Sequence, residues 1–112
     1  MSAAPPSSTA LLTDRYELTM LDAALADGTA GRHCVFEVFT RRLPPGRRYG
    51  VLAGTGRVLE AIGAFRFGDA ELAYLAEHRM VTRSTLDHLA AFRFTGSITG
   101  YAEGECFFPL SP

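Results

Sequence analysis

Apolar residues recur at three- and four-residue intervals through Leu18, Leu21 and Leu25, with Met20 and Ala24 beside them, and so give one apolar face to a helix. Asp14-x-x-Glu17 has the form of a capping box that opens this helix near Arg15, and Gly28 suits its C-terminal stop. Residues 33–40, HCVFEVFT, are rich in β-branched and aromatic types and predict a strand. Its apolar residues fall on both faces, so it is expected to be covered on both sides or nearly so. Pro44-Pro45-Gly46 breaks the chain before a short apolar run over 49–53. A second helix is expected from Thr55 or Gly56, with Val58, Leu59, Ile62 and Phe65 at helical spacing. Asp69 is a candidate N-cap for a third, carrying Leu72 and Leu75, and Ser84-x-x-Asp87 for a fourth, carrying Leu86, Leu89, Ala90 and Phe92. Residues 94–109 alternate Thr, Ile, Tyr and Phe with Gly96, Gly100 and Gly104, which suggests short strands and tight turns. This order predicts an α+β domain: an N-terminal helix and a mixed or antiparallel sheet with helices packed on it.

With 112 residues the prior is one domain and one modest core. Residues 1–10, dominated by Ala, Pro and Ser, are expected to be a disordered leader, leaving 11–112 as the domain. That leader has no positive region and no long apolar stretch, so it does not read as a signal peptide. No segment approaches the roughly 18 apolar residues of a membrane span. Eleven basic against twelve acidic side chains give a net charge of −1, which argues against a global field for nucleic acid or anionic membrane. Cys34 and Cys106 each lie in an apolar segment and are expected as buried thiols of a cytoplasmic protein.

Candidate chemistry is sparse. His33, His78 and His88 are too dispersed for a metal site, and the cysteines add no ligand spacing. Gly54-Thr55-Gly56 lacks the third glycine of a dinucleotide fingerprint, since Leu59 stands there. It reads as a strand-to-helix turn whose helix N-terminus is able to bind an anion. Glu103 and Glu105 would share one face of a strand, toward solvent. Arg41, Arg42, Arg47 and Arg48 form the one concentrated basic patch, either a solvated loop or a phosphate site suited to guanidinium forks. Tyr16 on its own reads as a helix tyrosine packing on Met20, and Asp14 as an N-cap.

Three phrases, taken together, carry more information than these features do singly. They are Leu11-Leu12-Thr13-Asp14-Arg15-Tyr16-Glu17-Leu18-Thr19-Met20, then Phe36-Glu37-Val38-Phe39-Thr40-Arg41-Arg42-Leu43-Pro44, then Arg93-Phe94-Thr95-Gly96 running into Glu103-Gly104-Glu105 and Phe108-Pro109. In this order and spacing the chain resembles the N-terminal domain of nicotinate phosphoribosyltransferases, enzymes of NAD salvage. The resemblance implies that Tyr16 stacks on the pyridine ring of nicotinate across a homodimer interface, with Asp14 close to the pocket. It implies that Arg41, and next Arg42, contact phosphates of phosphoribosyl pyrophosphate, although Thr40 stands where the family has phenylalanine. It further implies an ATP-assisted, Mg²⁺-dependent reaction. The phosphohistidine and most of the phosphate loops of that reaction belong to a larger, barrel-like α/β domain expected to follow these residues. No catalytic residue is therefore expected here, and this segment alone is expected to be inactive. Two other readings stay open: a relative acting on nicotinamide or quinolinate, and a non-catalytic binding or interaction module of the same fold.

Overall fold

The computed structural model describes residues 8–112, so most of the expected leader, residues 1–7, lies outside the described residues. Ser8, Thr9 and Ala10 are described. The Ser8 hydroxyl donates to the Arg66 carbonyl at 3.2 Å, and Ala10 is buried. The architecture is α+β, in the order α1 (Arg15–Asp27), β1 (Gly50–Val51), α2 (Thr55–Ala64), α3 (Asp69–Glu77), α4 (Arg83–Ala91) and β2 (Cys106–Phe107). The chain divides into two compact units, Met1–Arg32 with Phe65–Phe94, and His33–Ala64 with Thr95–Pro112.

The first unit holds α1, α3 and α4. Asp14 is the N-cap of α1, with extended backbone, and its N–H donates to the Glu17 carboxylate at 3.2 Å. Gly28 ends the helix in the left-handed region (φ 80°), where a residue without Cβ is unstrained, and the Thr29 and Ala30 amides close onto the Ala24 carbonyl. Leu18 is buried with Leu75 of α3 and Leu89 of α4, and Leu11, Leu21, Leu72 and Leu86 pack around them. Met20, expected beside the apolar face of α1, is exposed instead. The helix starts also shift. Gly68, not Asp69, caps α3, its N–H donating to Glu71 at 2.9 Å. Thr82 caps α4 with its hydroxyl, so that helix begins at Arg83, before the expected Ser84.

A polar knot ties α1 to α4. The Thr82 hydroxyl and amide donate to Asp22 Oδ1 at 2.6 and 3.0 Å, and the fully buried Thr85 hydroxyl donates to the same oxygen. These donors, the Thr82 hydroxyl first and then that of Thr85, hold the Asp22 carboxyl below its ordinary value. A buried hydroxyl without an acceptor costs about 1–3 kcal/mol, so Asp22 allows Thr85 to sit inside the helix packing. Phe65 falls just outside α2 and turns into this unit, edge-to-face with Phe67 and Phe92 at centroid separations of 5.5 and 6.1 Å.

The second unit holds α2 and a two-stranded antiparallel sheet with Gly50 opposite Phe107 and Val51 opposite Cys106. Pairing continues past the strands, from the Leu52 amide to the Glu105 carbonyl and from the Gly104 amide to the Leu52 carbonyl. The Phe107 ring lies where a Cβ on residue 50 would be, so glycine is needed there. Three expectations are corrected in this unit. Segment 33–40 is not a strand, and Val35, Phe36 and Val38 are exposed rather than covered on two sides. An extended chain becomes a strand only when a neighbour pairs with it, and the two short strands pair with each other. Cys34 and Cys106 are exposed thiols, because the segments carrying them are not packed over. Residues 94–109 yield only β2 and turns. No residue of this unit is buried, and the fully buried side chains all belong to the helical unit.

Candidate functional site

Tyr16 stands one residue inside α1, where the Asp14 cap fixes the start of the helix. Its carbonyl accepts the Thr19 hydroxyl at 3.0 Å. The side chain is 59 % exposed and has no place in the Leu18–Leu75–Leu89 cluster, and Met20 is exposed one turn on. A phenol presented in this way has ring area available for stacking on a flat heteroaromatic ligand, at small entropic cost because it has two side-chain torsions. Asp14 is also exposed, and its position is that of a cap.

Arg41 and Arg42 belong to the other unit and are both exposed. Their stretch of chain is anchored on each side: the Leu110 amide donates to the Thr40 carbonyl at 2.8 Å, and the Arg47 amide to the Pro44 carbonyl at 3.1 Å. Gly46 takes φ 83° to complete the turn. Just beyond, Gly46, Arg47, Arg48, Tyr49 and Val51 line a shallow open depression. Its arginines are therefore the second pair of the basic patch, not the pair singled out from sequence. Tyr16 and Asp14 thus share one unit, and Arg41 and Arg42 share the other.

The most organised polar arrangement of the second unit rests on a residue that sequence reasoning sent to solvent. The Glu103 carboxylate accepts the Gly54 amide at 2.9 and 3.0 Å and the Thr55 amide at 2.8 Å, closing the N-terminus of α2. The Gly54 amide, then that of Thr55, holds Glu103 below the usual carboxylate range. The strand-to-helix turn expected at Gly54-Thr55-Gly56 is present, and the amides at the start of the following helix are taken by the protein's own carboxylate. One signal pointed to it: α2 has no acidic residue in its first turn. Glu103 lies in a turn, not on a strand face, and Glu105 bonds back to the Ala102 amide.

Among the described residues no group of three or more His, Cys, Asp and Glu side chains gathers to hold a metal ion. Nor is any helix among the described residues long and apolar enough to cross a membrane.

Comparison with known sequences converges on one family. Residues 11–112 match the sequence profile described as the nicotinate phosphoribosyltransferase (NAPRTase) N-terminal domain. The chain is similar to nicotinate phosphoribosyltransferase pncB1 of Mycobacterium tuberculosis, 60 % identical over 102 residues, covering 91 % of this chain and 22 % of that protein. It is 44 % identical over 103 residues to pncB2 of the same organism, covering 92 % and 22 %. It is 34 % identical over 110 residues to the nicotinate phosphoribosyltransferase of Mus musculus, covering 91 % and 20 %. The chain spans about a fifth of the length of these relatives.

Proposed function

The chain belongs to the family of nicotinate phosphoribosyltransferase N-terminal domains, and from that premise we propose that it is the N-terminal part of such an enzyme. The whole protein joins nicotinate to the ribose of phosphoribosyl pyrophosphate, releasing pyrophosphate and forming nicotinate mononucleotide for NAD salvage. ATP and Mg²⁺ act on that reaction through residues outside this segment. The matching relatives are named for nicotinate, which favours it over nicotinamide or quinolinate.

The observation that carries this reading is the exposed phenol of Tyr16 in the first turn of a capped helix. Stacked on the pyridine ring of nicotinate, it buries both faces of contact and orients the heterocycle for attack by the ring nitrogen on the ribose carbon. Asp14 fixes the helix start and so holds the ring in place. Arg41, with Arg42 next to it, offers exposed guanidinium donors for phosphate oxygens. A homodimer allows Tyr16 to serve its partner's pocket, and the protein works in the cytoplasm. The segment alone contributes binding groups and no chemical centre, so it has no turnover by itself.

Replacing Tyr16 in the full-length protein tests this reading. Tyr16→Ala removes stacking and ring burial of about 1–3 kcal/mol, which raises the KM for nicotinate roughly 5- to 150-fold. Tyr16→Phe, which keeps the ring, stays close to wild type. A KM unchanged in Tyr16→Ala rejects the assignment.

A further inference from the structure

We propose that the depression lined by Gly46, Arg47, Arg48, Tyr49 and Val51 is a nucleotide site. It takes the flat base of a nucleoside monophosphate on Tyr49 and the phosphate on Arg47 and Arg48. This site stands apart from the functional reading above, which uses Tyr16, Asp14, Arg41 and Arg42. Its floor comes from the first strand. Successive side chains of an extended chain point to opposite faces, so Tyr49 and Val51 share one face and residue 50 belongs to the other. On that other face the Phe107 ring fills the space beside Gly50. Antiparallel pairing of Gly50 with Phe107 and of Val51 with Cys106 pins the strand. The tyrosine and the valine are thereby held on an open surface, 54 % and 57 % exposed.

The rim comes from the turn before it. Gly46 in the left-handed region and the amide of Arg47 on the Pro44 carbonyl shape the turn that carries Arg47 and Arg48. No described residue forms an ion pair with either arginine, and both are exposed. From residue 38 to residue 59 the chain carries five arginines and no acidic side chain, although its net charge is −1. Guanidinium groups crowded without counter-charges repel one another. A bound phosphate relieves that repulsion and accepts their forked hydrogen bonds. The depression has a volume of about 610 Å³, within the range of small-ligand sites. An aromatic floor beside a cationic rim selects a ligand that is flat at one end and anionic at the other. Inorganic phosphate leaves the floor uncovered, and a nucleoside leaves the arginines unpaired. A nucleoside monophosphate satisfies both, since a base stacks on a tyrosine ring whatever its sequence of polar edges.

Calorimetric titration of the full-length protein with adenosine monophosphate, adenosine and ribose 5-phosphate tests the inference. The same titrations are made on the double variant Arg47→Ala/Arg48→Ala and on Tyr49→Ala. Binding common to all three proteins belongs to other sites and is subtracted. The double variant is expected to weaken adenosine monophosphate about tenfold or more, as the loss of charged hydrogen bonds requires. Tyr49→Ala brings adenosine monophosphate down to the level of ribose 5-phosphate and leaves ribose 5-phosphate itself unchanged. The KM values for nicotinate, phosphoribosyl pyrophosphate and ATP stay at wild type in the double variant. Adenosine monophosphate binding that neither variant alters overturns the site. Equal binding of adenosine monophosphate and ribose 5-phosphate in wild type also overturns it, because the ring then adds nothing. A raised KM for phosphoribosyl pyrophosphate or ATP in the double variant does so too, since the depression would then belong to the substrate pocket. Failure of the Tyr16 test leaves these titrations untouched, so the two readings fall separately.

Discussion

Replacing Leu75 with alanine probes the helical unit where its packing is tightest. Leu75 is fully buried between Leu18 and Leu89. Truncation removes three carbon groups at about 0.8 kcal/mol each, a transfer loss of about 2.4 kcal/mol. The cavity left among the neighbouring leucines brings the cost to about 3–4 kcal/mol. A chain of this size is stabilised by roughly 6–17 kcal/mol in total, and the absence of buried residues from the second unit puts this one at the low end. Urea unfolding followed by far-ultraviolet circular dichroism reads the loss. At a slope of about 1.5 kcal/mol per molar, the midpoint falls by about 2 M with the slope unchanged. Val38→Ala in the same 112-residue chain is the control. Its side chain is exposed, so its cost stays within about 0.5 kcal/mol. Equal costs for the two substitutions would refute the reasoning, because stability would not then follow burial.

Three further outcomes are expected. Asp22→Asn lowers the thermal midpoint at neutral pH, since the Thr82 and Thr85 hydroxyls lose a charged acceptor. The folded carboxyl titrates below its unfolded value, so wild type keeps this advantage above the unfolded value and loses it as pH falls through the folded one. The two midpoints should therefore converge in acid, and a gap that persists there counts against the charge. Glu103→Gln lowers the protection of the Gly54 and Thr55 amides against exchange, read by NMR relative to their intrinsic rates, and wild type loses the same protection only as pH falls through the folded value of this carboxyl, which is held low; unaltered protection in the variant rejects the clamp. Arg41→Ala in the full-length protein raises the KM for phosphoribosyl pyrophosphate about 10-fold or more, as expected for a lost charged hydrogen bond of about 1.5–3 kcal/mol. No change in that KM returns Arg41 to the role of a solvated loop residue.

The helices were legible because their signals are local. Asp14, Glu17 and Gly28 mark both ends of α1 within a few residues of each other, and Leu75 and Leu89 stand at core positions read from spacing alone. The strand over 33–40 was misread for the converse reason. Valine and phenylalanine report fitness for a covered sheet, yet a strand also requires a neighbour, and a neighbour is not written in its own residues. The roles of Asp22 and Glu103 were hidden on similar grounds. Each acts on amides or hydroxyls some 48–63 positions away, and a carboxylate that looks solvated in sequence becomes a clamp only when the fold brings those donors to it. The four binding candidates were named by family resemblance, and residue type alone left Tyr16 as an ordinary helix tyrosine.

The separation between Asp22 and its threonine partners bears on synthesis. The knot spans 60 positions to Thr82 and 63 to Thr85. A ribosome adding about 5–20 residues per second takes roughly 3–12 s to cover that distance. During that interval α1, 13 residues long, is too short to hold its shape unaided. The nascent chain therefore emerges with Leu18 uncovered. Its earliest helix takes lasting form only once α4 has left the exit tunnel, so the start of translation and the start of stable folding are far apart.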